Sequence, residues 1–104
     1  MLEELKPGSR WRSVVCGTEV VVVKAPSTAV GLECGGQPMI AAGQDPPAGA
    51  VLDPDWSDGT PLGKRFEQVE SGLEVLSTKA GAGSLSVDGA PIARKDAKPL
   101  PSSD

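Results

Sequence analysis

This chain has no histidine and no tyrosine, one phenylalanine, two tryptophans and two cysteines in 104 residues. Without histidine it lacks the side chain that most often moves protons near neutral pH, and the commonest nitrogen ligand for metals. Catalytic candidates shrink to Asp, Glu, Lys and the two thiols, with no identifiable base to activate a nucleophile. A non-enzymatic protein is therefore expected. The scarcity of aromatics leaves the core to Val, Leu, Ile and Ala, and a chain this short buries only about 60–65% of its surface on folding. Positive charge is also thin. A net charge of −4 and one short basic pair, Lys64-Arg65, argue against nucleic-acid binding, which needs clustered Lys and Arg. No apolar run approaches the ~18 residues of a membrane span; the longest is the four valines at 20–23. The first ten residues carry Glu3, Glu4, Lys6 and Arg10, and hold no apolar stretch of the ~7–15 residues a secretory signal requires. A cytoplasmic protein with reduced thiols is the expectation.

What is present is a repeat. Residues 16–25 read C-G-T-E-V-V-V-V-K-A and residues 71–80 read S-G-L-E-V-L-S-T-K-A. Residues 32–39 read L-E-C-G-G-Q-P-M and residues 85–92 read L-S-V-D-G-A-P-I. Eight of these 18 aligned positions are identical, where chance gives roughly one or two at ordinary residue frequencies. The register extends back through Gly8/Gly63, Trp11/Phe66 and Val14/Val69. In this alignment Cys16 faces Ser71 and Cys34 faces Val87, so only the first copy carries thiols.

The periodicity predicts an all-β protein of two pseudo-symmetric units of hairpins or three strands. One domain spans 1–92, with repeat units at 8–41 and 63–92 and a Pro/Gly-rich connector at 42–62. Strands are predicted at 10–16, 18–24, 29–33 and 38–41, then at 64–70, 73–78 and 84–87. The β-branched run at 20–23 lacks alternation, which predicts a strand covered on both faces. Gly17, Gly35-Gly36 and Asp88-Gly89 mark tight turns. Leu2 and Leu5 suggest one helical turn. Residues 93–104 are polar and rich in Pro and Ser, and are predicted to be a disordered tail.

Each cysteine precedes a glycine, the arrangement in which a thiolate at a tight turn meets the backbone N–H groups that follow it. The segments S-V-V-C-G (13–17) and E-C-G-G-Q-P-M (33–39) resemble the knuckles of the desulforedoxin and rubredoxin-like family, whose pattern is C-x-x-C-G, a hairpin, then C-C-G and a Met. The resemblance covers residues 13–39. It implies a small β fold that binds iron and moves electrons, and a tandem chain similar to such a dimer fused in one. Position by position, Cys16 and Cys34 match ligands, Ser13 stands where the family has its first cysteine, and Glu33 or Gly35 replaces one of the pair. Three readings stay open: buried structural thiols with no cofactor; a zinc or iron site on Cys16 and Cys34, completed by Glu33 or shared across a homodimer; and a redox-active or disulfide pair.

The other candidates are weaker. Asp45, Asp53, Asp55 and Asp58 fit no EF-hand spacing and read as turn aspartates. The stretch G-A-G-S at 81–84 matches no phosphate-binding pattern and reads as a hairpin loop. The repeated Glu19/Glu74 and Lys24/Lys79 read as exposed strand residues that pair across strands. Trp56, in the connector, serves either as an anchor for a protein partner or as the pin of its own loop. The leading expectation is an accessory or protein-interaction module on a degenerate metal-knuckle scaffold, with metal-binding or rubredoxin-like redox function as the alternative.

Overall fold

The computed structural model describes residues 5–94. Its strands are β1 (Arg10–Arg12), β2 (Glu19–Lys24), β3 (Leu32–Cys34), β4 (Gln37–Pro38), β5 (Ile40–Ala41), β6 (Arg65–Gln68), β7 (Leu73–Lys79), β8 (Leu85–Val87), β9 (Ala90–Pro91) and β10 (Ala93–Arg94). They form two antiparallel sheets, so the protein is all-β as the periodicity predicts. A six-stranded sheet runs β10-β6-β7-β2-β1-β5 and a four-stranded sheet runs β4-β3-β8-β9. Among the described residues no helix is long and apolar enough to cross a membrane.

Both strand orders are palindromes: exchanging β1 to β5 with β6 to β10 leaves each unchanged. The register at the centre obeys the same exchange. Glu19 pairs with Lys79 and Lys24 with Glu74, while Val20 faces Ser77 and Val22 faces Val75. In the smaller sheet Leu32 faces Val87 and Cys34 faces Leu85. The two halves are thus joined through β2–β7 in one sheet and β3–β8 in the other.

The core lies between the sheets and is built from Trp11, Val20, Val22, Leu32, Cys34, Leu73, Val75, Leu85 and Val87. Strand alternation explains the choice, since inward residues recur at every second position. The valine run is not covered on both faces as the sequence suggested. Val20 and Val22 are buried, Val21 is half-buried and Val23 is exposed, because the β2–β7 register skips Val23. Trp11 points inward between Arg10 and Arg12, and its indole N–H donates to Ser9 Oγ at 3.0 Å.

Three boundaries differ from the sequence reading for identifiable reasons. The first strand stops at Arg12 rather than 16, because the Ser13 hydroxyl accepts from the N–H groups of Val15 (3.1 Å) and Cys16 (3.2 Å) and bends the chain. The return strand expected at 38–41 splits at Met39, whose buried side chain and N–H bond to Leu32 O carry the chain from the small sheet to the large one. Ala93 and Arg94, expected in the tail, pair with Glu67 and Phe66 at the open edge of β6; the rest of the tail reading and Leu2 lie outside the described residues.

The repeated charges also depart from expectation. Lys79 Nζ lies 3.3 Å from Glu19 and Lys24 Nζ 4.0 Å from Glu74, so both pairs do cross the strands. Glu74, however, is only 1% exposed, and Arg65 reaches it at 3.5 Å. It is a buried carboxylate in the sheet rather than a residue on a solvated face.

Candidate thiol site

Cys16 lies in the bend between β1 and β2, and Cys34 is the last residue of β3. The fold brings their Sγ atoms to 3.9 Å, both as free thiols. Alternation along β3 sends Leu32 and Cys34 inward. Glu33 points the other way, where it accepts from Ser86 Oγ and from the Gly89 N–H, each at 2.9 Å. It therefore does not complete a ligand set with the cysteines.

The two sulfurs differ in environment. Cys34 is fully buried, whereas Cys16 is half-buried. Ser13 Oγ and Thr18 Oγ1 each lie 3.3 Å from Cys16 Sγ, and the Gly83 N–H donates to that sulfur at 3.3 Å. Because Ser13 Oγ already accepts two backbone N–H groups, its own O–H is left to donate to a thiolate. Burial raises the Cys16 pKa, but the Ser13 and Thr18 hydroxyls and the backbone N–H groups of Thr18 and Gly83 outweigh it and bring the pKa down to about 7. For Cys34, burial followed by the neighbouring Cys16 charge pushes the thiol up to about 12, against smaller opposing bonds from Thr18 and Ser13. One sulfur is thus a thiolate near neutrality and the other a held thiol.

The glycine loop at 81–84, which the sequence presented as a plain hairpin, is the cover of this site. A side chain at Gly81 would meet Cys16 Sγ at 2.9 Å, and one at Gly83 would meet Cys34 Sγ at 3.0 Å and the Gly35 backbone at 2.9 Å. Only glycine lets the backbone lie this close to both sulfurs. The connector holds the loop in place. Thr60 exchanges backbone bonds with Gly81, Thr60 Oγ1 donates to Gly83 O at 2.7 Å, and Ser84 N–H donates to Trp56 O at 2.7 Å. Asp53 caps the short 3-10 turn Pro54–Trp56 by accepting from Asp55 N–H at 2.9 Å, and its own N–H donates to Gly35 O. Trp56 packs with Asp53 over the Gly36 turn, where an added side chain would meet both. Trp56 is half-buried there.

Ser13, Thr18, Gly81 and Gly83 were not singled out as functional from sequence, apart from Ser13 as the place of a missing cysteine. The available signal was asymmetry. The glycines at 81 and 83 face P-S-T-A-V at 26–30 in the first copy, and such an unmatched pair marks a close backbone approach.

The equivalent place in the second half holds no thiol. Ser71 and Val87 are both buried there, and Ser71 Oγ donates to Gln68 Oε1 at 2.6 Å, as Cys16 sits beside Ser13. The iron or zinc implied by the family resemblance was tested on the donor set. Such a site needs four ligands, and among the described residues no group of three His, Cys, Asp or Glu side chains is gathered. Where Gly35 replaces a cysteine, a side chain would run into Val15 Cγ2 at 2.5 Å and Leu52 Cδ1 at 2.7 Å. Carbon fills that corner, and the residues of one chain do not fit a tetrahedral metal. No protein-family model, curated protein or solved structure matches this chain.

Proposed function

We propose that this protein is a redox-active dithiol protein in which Cys16 and Cys34 interconvert between a thiolate–thiol pair and an intramolecular disulfide. The observation that carries the reading is the 3.9 Å approach of the sulfur of half-buried Cys16 to that of fully buried Cys34. The partner is a disulfide-bonded thiol compound. Cys16 thiolate attacks one of its sulfurs, the S–S bond breaks, and one thiolate departs, leaving a mixed disulfide on Cys16. Cys34 gives its proton to the departing thiolate and attacks Cys16 Sγ, which releases the second thiolate. The substrate disulfide gains two electrons and the cysteine pair loses two. Closing the bond to ~2.05 Å needs movement of one sulfur, which the bend carrying Cys16 supplies more readily than paired β3. A cytoplasmic setting would return the pair to the dithiol form.

The test is equilibration in thiol/disulfide buffers of graded potential, followed by alkylation of remaining thiols and intact mass. Both thiols should disappear together in one two-electron transition, and neither should form this internal bond in Cys16→Ser or Cys34→Val. Two thiols persisting in the most oxidising buffer while the protein stays folded would reject the proposal.

A protein-interaction module is a second reading, favoured by the exposure of Val51 (71%) in the middle of the connector and Leu62 (62%) at its end. A photo-crosslinking residue placed at 62 should then trap a discrete protein adduct that Val51→Asp abolishes. The palindromic strand order further supports, as part of this proposal, a tandem duplication in which only the first unit carries the thiol pair.

A further inference from the structure

We propose that Cys16 and Cys34 also form a two-thiolate binding site for a soft, low-coordinate cation, copper(I). This function goes beyond the redox reading and requires only the same pair in its reduced form. Four observations carry it. The sulfurs stand 3.9 Å apart; with thiolate–metal bonds of ~2.3 Å a linear two-coordinate ion spans about 4.6 Å, so the bend carrying Cys16 has to draw its sulfur back by under about 1 Å to seat one ion. The backbone at 81 and 83 lies against the sulfurs and brings no side-chain ligand, and a side chain at Gly35 would run into Val15 Cγ2 and Leu52 Cδ1. Glu33, the nearest carboxylate in sequence, is committed to Ser86 and Gly89 on the other side of the strand. Finally, the Gly83 N–H donates to Cys16 Sγ, and the Ser13 and Thr18 hydroxyls, each 3.3 Å from it, turn donor once Cys16 is a thiolate.

Soft thiolates without imidazole or carboxylate select copper(I), while zinc and iron require a fuller tetrahedral set. The ion displaces the Cys34 proton to solvent; two thiolates and one monovalent cation then leave a residual charge of minus one, which the Gly83 N–H and the Ser13 and Thr18 hydroxyls beside Cys16 are placed to spread. Cys16 is half-buried and Cys34 fully buried, so Cys16 is the sulfur that an ion, or a thiol that delivers it, meets first.

The experiment is anaerobic titration of the reduced full-length protein with copper(I) against a coloured copper(I) chelator, with zinc(II) and cobalt(II) in parallel. One copper(I) per chain is expected, held in competition with the chelator. X-ray absorption should show sulfur neighbours and no nitrogen. Cys16→Ser and Cys34→Val should each weaken binding by more than the ~100-fold that loss of an outer-shell partner costs. These variants copy Ser71 and Val87, which already fill the equivalent buried places, so the fold is retained. Capture of all copper by the chelator, tetrahedral cobalt retained instead, or unchanged binding in Cys34→Val would each overturn the proposal. The redox reading is scored separately, by disulfide formation without metal, so either can fail while the other stands.

Discussion

Gly83→Ala is the sharpest probe of the thiolate cradle. The new methyl group meets Gly35 Cα and N at 2.9 Å and Cys34 Sγ at 3.0 Å. Two of these contacts are backbone, so the loop must lift, and the Gly83 N–H is drawn away from Cys16 Sγ. A hydrogen bond to a charged group contributes ~1.5–3 kcal/mol, and ~1.4 kcal/mol corresponds to one pKa unit. Solvent on the open side of Cys16 screens this interaction and favours the lower end. The Cys16 pKa should therefore rise from about 7 by about one. At pH 7 the thiolate fraction then drops from about half to about a tenth, and alkylation slows about fivefold. The assay is the pH profile of iodoacetamide alkylation at Cys16, read by mass spectrometry, with circular dichroism to verify the fold. Gly43→Ala is the control, since its methyl group meets nothing within 4 Å. A folded Gly83→Ala protein with the parent pH midpoint would refute the assignment of the loop as a thiolate donor.

Thr18→Val keeps the shape of the side chain but removes the hydroxyl at 3.3 Å from Cys16 Sγ, so the same alkylation midpoint should move upward. Linkage gives the thiols opposite signatures in urea unfolding. Cys16 binds its proton less tightly in the folded protein (about 7 against 9.0), so its contribution is full above pH 9 and is lost as pH falls through 7. Cys34 holds its proton more tightly (about 12 against 9.0), so stability declines as pH rises from 9 towards 12. Subtracting the profile of the Cys16→Ser/Cys34→Val protein should leave a maximum near pH 9; a flat difference would contradict both assignments. Glu74→Gln removes a 1%-exposed carboxylate facing Lys24 and Arg65 and should cost ~1.5 kcal/mol, the low end for hydrogen bonds to a charged group, because both cations stay solvated. Glu19→Gln, at the more open end of the same register, should cost under ~1 kcal/mol by the same denaturation assay. Cys34→Val, which copies the buried Val87 of the second half, adds one heavy atom to a packed site and should cost ~1–3 kcal/mol.

Much of this fold was legible because its strands obey simple rules. Alternation placed Trp11, and Asp88-Gly89 specified a hairpin turn with both φ angles positive, at 51° and 81°. The central strands β2 and β7 followed from their β-branched and apolar runs. Less legible were boundaries set by single side-chain bonds, such as the Ser13 hydroxyl that ends β1, and strands of two residues whose pairing depends on a distant edge. The valine run misled because an irregularity in pairing, invisible in composition, expelled Val23. At the site the cysteines stood out by type, but their meeting is a tertiary fact. Eighteen residues separate them, and the loop that covers them comes from the other half of the chain. Gly83 carried a glycine signal without any sign of what its backbone would approach.

The palindromic joining of the halves has a kinetic consequence. Every contact across β2–β7 or β3–β8 links residues about 50–60 positions apart, and loop closure must be completed before those pairings reward it. Neither half can finish a sheet by itself, since each would leave a central strand as a bare edge. Folding is therefore set to be slow, in the millisecond-to-second range of non-local β proteins. The two sulfurs arise early within the first half, but their glycine cover arrives only when the second half docks. Until that step, a nascent chain carries an uncovered dithiol, and Cys16 lacks the Gly83 N–H that donates to it in the folded protein.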